Sequence, residues 1–457
     1  MKRFLSIFLI FALIFSLCAC SSSTQESSQE APNSSSAASS EAGKIEPYTP
    51  SDEPVTLRWT GWGSTTRHDQ RMAWVKEFQK ENPNFTIEYE AETEDSMVEK
   101  ILIQSQAGEA PDIYQNTSYH LDDFWEKRLC MDLKPFIESG ALSTEGYENM
   151  LAIGQTADGV QVQWPTQAAT VSGIYYNEGK LKELGVPLPE NGWTWSDFEK
   201  VMRSAKEALG SEKIWACQDE GGNYRFLETW LLQRGKSFCS QDGLNFDKED
   251  LIEWLTLWKG YRDEGLISPA DITSENSGKS WQESLMMTGK ALMFIQSYGL
   301  LITAREISDM EINLVSPPWV EGGTKATPVI SAGYCISAIT DKPAETAYFL
   351  NWMNQSEKVQ MDHFDFYGVC TNEKYNDKFK NNIEAGSLQI KDGTMEIMAL
   401  QEYLAPFNVP YPPNPSGSTN AQELLITANE MVSFGSMTIE EAVDDFFVNA
   451  EQVFKRN

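Results

Sequence analysis

Val55-Thr56-Leu57-Arg58-Trp59-Thr60-Gly61-Trp62-Gly63-Ser64 alternates apolar and polar residues over its first half, then breaks on two glycines. The alternation is that of a half-buried strand. From about residue 69, Met72, Val75 and Phe78 fall on one helical face, and Asn82-Pro83 stops that helix. Residues 86–89 read as a strand. Met97, Ile101, Leu102 and Ser105 then share a helix face up to Gly108, and Pro111-Asp112-Ile113-Tyr114 is a third short strand. Strand, helix, strand, helix, strand at these spacings requires right-handed crossovers and predicts a mostly parallel sheet in an α/β chain.

Upstream, Lys2 and Arg3 precede an apolar run from Phe4 to Leu17, followed by Cys18-Ala19-Cys20. A basic start, a short apolar stretch and small residues at the cut describe an export signal, too short for a comfortable membrane span. Leu17 three residues before Cys20 and Ala19 just before it resemble the lipobox of bacterial lipoproteins, with Cys18 in place of the more usual Ala or Ser. That resemblance implies lipidation at Cys20, a signal over residues 1–19 and a protein held on the outer face of a cell membrane. Residues 21–43 contain no aromatic or branched aliphatic residue, so a Ser-rich flexible tether is expected over 20–50.

About 410 residues follow Pro47, more than one core usually organises, so two domains are expected. The net charge of −31 argues against nucleic acid and against adhesion to anionic lipid. Five cysteines remain after Cys20: Cys130, Cys217, Cys239, Cys335 and Cys370. Their spacing gives no zinc pattern. Reduced, buried thiols are one reading, and a single disulfide such as Cys217 to Cys239 is the other.

The body of the chain resembles the extracellular solute-binding proteins of ABC importers, the family that includes the maltose- and oligosaccharide-binding proteins. The resemblance rests on the strand into Trp62-Gly63, on Phe78 to Pro83, and on Ala107-Gly108-Glu109-Ala110-Pro111-Asp112. It continues through Asp132-Leu133-Lys134-Pro135-Phe136-Ile137, Trp164-Pro165, Tyr175-Tyr176-Asn177, Trp193-Thr194-Trp195 and Gly289-Lys290-Ala291-Leu292-Met293. It implies a two-lobed, type II periplasmic-binding-protein-like α/β fold with hinge crossings near residues 165–172, 317–328 and 365–371. Lobe 1 would comprise 51–168 plus 325–367, and lobe 2 would comprise 169–324 plus 368–457. Pro317, Pro318, Gly322, Gly323 and Pro328 support a connector there independently.

No motif demands catalysis. His68, His120 and His363 form no HExxH, and Gly-x-Ser-x-Gly and a phosphate loop are absent. The acidic pairs Asp122-Asp123, Glu440-Glu441 and Asp444-Asp445 read as solvated faces. Binding is better served: 14 Trp, 16 Tyr and 22 Phe can stack on the C–H faces of sugars, while amides and charged groups bond the hydroxyls. Trp62, Gln115 and Asn116 follow strand ends, where α/β sheets place ligand contacts. Gln167 and Thr170 lie at the expected first crossing, and Asn223 and Tyr224 end a polar, Gly-rich loop. By resemblance, Tyr298 takes the place of a stacking Trp, Gly333 and Tyr334 line the cleft, and Asn414, Ser416 and Thr419 begin a cleft-facing helix. Asp112 reads as a turn brace, and Trp230, Trp254, Trp258 and Trp352 as core.

The resemblance implies a monomeric, non-enzymatic receptor that carries a mono- or oligosaccharide to an ABC permease and holds no cofactor or metal. A polyamine or other cation is the alternative ligand. A tethered polysaccharide hydrolase and a sensory module are the alternative classes.

Overall fold

The computed structural model describes residues 46–455 apart from 64, 93, 149, 171–172, 368–369, 413–414 and 416. The signal, Cys20 and most of the tether lie outside the described residues. The strands are β1 (Val55–Trp62), β2 (Phe85–Glu92), β3 (Ile113–Thr117), β4 (Trp164–Thr170), β5 (Gly173–Asn177), β6 (Ser237–Ser240), β7 (Gly243–Asn245), β8 (Met293–Gln296), β9 (Ile312–Val315), β10 (Thr327–Ile336) and β11 (Asn408–Pro410).

One sheet has the order β11-β10-β3-β1-β2, with β4 also paired to β10; a second has the order β8-β5-β9; β6 and β7 form a hairpin. β1 runs parallel to β2 and β3, as helical crossovers require. β10 is antiparallel to both β3 and β4, and β5 is antiparallel to both its neighbours. The first sheet is therefore mixed and the second wholly antiparallel, rather than mostly parallel. Parallel crossovers join β1 to β3 and, later in the chain, β10 to β11; β10 itself reaches the first sheet only after the chain has built the second.

The helix Thr65–Glu81 buries Arg71, Trp74, Val75 and Phe78. Those positions lie seven, four and three residues before Phe78, one continuous face at 3.6 residues per turn. Met72, expected on that face, is 40% exposed, because a spacing of six turns it to the side. Trp74 takes its place and donates Nε1–H to Asp362 at 2.7 Å.

Each sheet has its own core. Leu57, Trp59, Phe78, Phe85, Ile113 and Phe349 pack around the first, where Trp59 meets Phe349 edge-on at 5.6 Å. Ile174, Phe198, Leu227, Trp254 and Trp258 pack beside the second, and Trp230 joins them at 4% exposure, whereas Trp352 is only partly buried and bonds Glu81. Asp112 braces the entry to β3: one carboxylate oxygen accepts from Arg58 N at 2.8 Å, the other from Thr340 Oγ1 at 2.6 Å. The five cysteines are free and buried, so Cys217 and Cys239 are not joined. Among the described residues no helix is long and apolar enough to cross a membrane.

Candidate functional site

β1 and β3 end side by side, and their ends are locked by one amide and one guanidinium. Gln115 Oε1 accepts from Trp62 N at 3.1 Å and from Arg71 Nη2 at 2.9 Å. Arg71 Nη1 donates to the Trp62 carbonyl at 2.6 Å and to Tyr89 Oη at 3.0 Å. Gly61 is needed for this: a Cβ there would stand 2.8 Å from Arg71 Nη1. Trp62 itself is half-buried, its ring packed against the cluster that holds Met97 and Tyr114.

Arg67 lies close enough to Arg71 that the two guanidiniums oppose each other. Burial and then Arg71 bring Arg67 down to about 9. His363 feels the same field; burial, then Arg67 and Arg71, bring it down to about 3, so its imidazole is neutral. The end of the first sheet is thus locally positive in a strongly acidic chain.

Beyond β3 the chain turns through Ser118–His120 and presents Tyr119. Tyr119 meets Tyr411, just past β11, edge-on at 5.0 Å between ring centroids. The Arg225 guanidinium lies 6.0 Å from the Tyr119 ring and 5.6 Å from the Tyr224 ring, and its Nε donates to Tyr224 Oη at 3.2 Å. Arg225 and Tyr224 open the helix Tyr224–Leu232, which packs with the second sheet's core. Three tyrosines and one arginine from three separate segments therefore converge, each partly exposed. Burial opposes the charge on Arg225, yet the surrounding tyrosines more than restore it. Aromatic rings that keep some exposed surface beside a fixed cation suit a polyhydroxylated ligand.

Of the residues expected to touch ligand, Tyr224 is in this group. Gln115 and Asn116 are 2% and 1% exposed; Gln115 holds β1 and Arg71, and Asn116 Oδ1 accepts from Thr117 N at 2.9 Å. Asn223 caps the helix Tyr224–Leu232 by accepting from Arg225 N and donates to Glu220 at 2.8 Å. Tyr298, expected to stack on a ligand, and Tyr334, expected to line the cleft, are 3% and 2% exposed. Tyr298 is packed in a core with Phe294 and Leu301, and Tyr334 stands 5.5 Å from Trp59. Gly333 lets β10 pass β4: a Cβ would lie 2.1 Å from the Trp164 carbonyl oxygen. Gln167 and Thr170 pair with Ala332 and Val329, but their side chains lie outside the described residues, as do Asn414 and Ser416 altogether. Thr419 is exposed in the first turn of the helix Ser418–Ser433.

Tyr119, Arg225 and Tyr411 were not anticipated. Tyr119 obeys the strand-end rule that selected Gln115 and Asn116, carried three residues further. Arg225 is adjacent to an anticipated residue. Tyr411, between Pro410 and Pro412, had an unusual setting but no periodicity to expose it.

A profile of the bacterial extracellular solute-binding proteins matches residues 73–385, and the chain belongs to that family. YcjN of Escherichia coli, described as a periplasmic-binding protein of an ABC transporter, is 21% identical over 291 residues, 62% of this chain and 65% of YcjN. The multiple sugar-binding protein of Streptococcus mutans is 29% identical over 136 residues, 29% of each chain. The matched stretch thus spans less than two thirds of either relative. An ABC substrate-binding protein of Listeria monocytogenes, solved with cycloalternan, is 18% identical, with a TM-score of 0.71 over 88% of this chain and 100% of that one. The fold is that of the periplasmic solute-binding proteins, and these relatives are binding proteins.

Proposed function

We propose that this chain is the receptor of an ABC importer, capturing a carbohydrate between two lobes and handing it unchanged to a membrane permease. The observation that carries the reading is the group formed by Tyr119, Tyr224, Arg225 and Tyr411, which draws on segments tied to both sheets. The specificity of the Streptococcus and Listeria relatives supports the same ligand class. Lobes of 51–168 plus 325–367 and of 169–324 plus 368–457 would close over the sugar as hinged bodies, and the closed form would dock. Lipidation at Cys20 would hold a monomeric receptor on the extracytoplasmic face.

A thermal-shift screen across sugars, amino acids and polyamines tests the ligand class. Stabilisation by a saccharide is expected, reaching about 2.7 kcal/mol at a hundredfold excess over Kd. Tyr224→Ala should abolish most of that shift while lowering the unliganded midpoint by far less than loss of a fully buried ring would, since Tyr224 is only partly buried. Stabilisation by polyamines alone, or reducing ends released from a glycan, would overturn the reading.

A further inference from the structure

His68 lies on the helix Thr65–Glu81, which packs on β2. Its Nδ1 stands 2.6 Å from Tyr89 Oη, with the two rings tilted and 5.8 Å apart between centroids. That phenol oxygen also accepts from Arg71 Nη1 at 3.0 Å and stands 3.3 Å from the Gly61 carbonyl oxygen. A phenol has one proton to donate. The shorter contact takes it, so Tyr89 donates to His68 Nδ1, and the imidazole is neutral with its own proton on Nε2.

Protonation of His68 reverses this bond, because an imidazolium has two donors and no acceptor. Its Nδ1–H would face a phenol oxygen that already accepts from the Arg71 guanidinium, and like charges repel strongly where water is scarce. Burial, then Arg71, hold His68 below the ordinary histidine value; the Gly63 backbone and Asp69 oppose them, and Arg67 adds to them. Around this cluster, Glu90 and Glu92 of β2 are ion-paired with Lys100. Asp362 bonds Trp74 and Lys358. Tyr334 of β10 lies beside both arginines, and buried His363 is neutral.

Arg71, 3% exposed, ties the end of β1 to β3. It donates to the Trp62 carbonyl at 2.6 Å and to Gln115 Oε1 at 2.9 Å, and that amide oxygen also accepts from Trp62 N at 3.1 Å. We propose that His68 is a positioning residue with a proton switch: neutral, it holds Tyr89 on Arg71 and fixes the end of β1 with Trp62; protonated on acidification, it leaves for solvent and loosens that end. Tyr89 then turns its proton to the Gly61 carbonyl, and water reaches Arg71 from the side that His68 vacates. His68 is itself partly exposed, so its path outward is short. The family is extracellular, and the switch meets the pH of the medium directly. It stands independently of the carbohydrate reading above.

Hydrogen exchange of the ligand-free chain tests it, read as the protection factor of the Trp62 N–H so that the intrinsic pH dependence of exchange cancels. In the wild type, protection should fall about tenfold between about pH 7.5 and about pH 4.5, while the amides of β5 keep theirs. A histidine held below its ordinary value of about 6.5 favours the neutral form. The lock is therefore intact above that value and weakens as pH falls through the lower one. His68→Gln can accept from Tyr89 but cannot titrate, and should keep Trp62 protected throughout. Tyr89→Phe removes the shared oxygen and should likewise erase the dependence. His120→Gln should behave as wild type, because His120 faces Asp123 and Lys127 instead. Unchanged protection in the wild type, or an equal fall at β5, would overturn the switch. So would a dependence that persists in His68→Gln or is lost in His120→Gln. The first two outcomes need no variant, so misfolding of a substituted chain would not shield the inference from refutation.

Discussion

Gly333 and Glu228 carry consequences at the scale of single residues. At Gly333, β10 passes so near the Trp164 carbonyl that no side chain fits. Gly333→Ala should cost about 1–3 kcal/mol, the range for overpacking, read as a lower urea midpoint with an unchanged m-value. Glu228 is 1% exposed; one carboxyl oxygen accepts from Phe238 N at 2.8 Å and the other has no partner among the described residues. Burial pushes this group up to about 8, against about 4.3 in an unfolded chain. The folded state therefore keeps a proton that the unfolded state releases. The stability this contributes is complete below about pH 4 and is lost as pH rises to about 8. Glu228→Gln keeps an acceptor for Phe238 and has no proton to lose, so its stability should fall less between pH 5 and pH 8 than that of the wild type. Parallel pH profiles would show that the carboxyl ionises in the fold without cost.

At the scale of elements, the stretch Trp193-Thr194-Trp195 shows how a local signal positions a distant segment. Thr194 and Asp197 form a reciprocal capping box at the start of the helix Trp195–Leu209. Trp193 Nε1 meanwhile donates to the Ser316 carbonyl at 2.7 Å, fixing the strand end from which the chain returns to the first sheet. Thr194→Ala should remove about 1 kcal/mol, visible in thermal unfolding. If the cap also anchors the return segment, hydrogen exchange should quicken at Trp319, whose backbone N–H bonds the Trp193 carbonyl at 2.9 Å. Loss of stability with unchanged exchange at Trp319 would confine the cap's role to its own helix. The helix Thr65–Glu81 makes a complementary point: its buried stripe was legible, but Met72 was misplaced because a six-residue spacing falls off the face defined by Phe78.

At the scale of the whole molecule, two sheets with separate cores are joined where β4 gives way to β5 and where β9 leads to β10. All five described cysteines are free and buried. A chain starting at Lys44 should yield five reactive thiols on unfolding, with or without prior reductant, and slow labelling when folded. Three thiols without reductant would reveal a disulfide. If the proposed lobes hinge shut over the ligand, sugar binding should also lower the radius of gyration in small-angle scattering; an unchanged radius would count against closure on binding.

The chain alone determined the α/β class, the order of its first five elements, the brace at Asp112 and most of the aromatic core, because each depends on periodicity or on turn chemistry a few residues long. Only the tertiary structure decided that β10 and β11 complete the first sheet, that Tyr298 and Tyr334 turn inward, and that Tyr119, Arg225 and Tyr411 converge. Those contacts join positions from about one hundred to nearly three hundred residues apart. No local pattern encodes such a meeting, since it follows from how segments far apart in the chain are brought together by the packing of the whole.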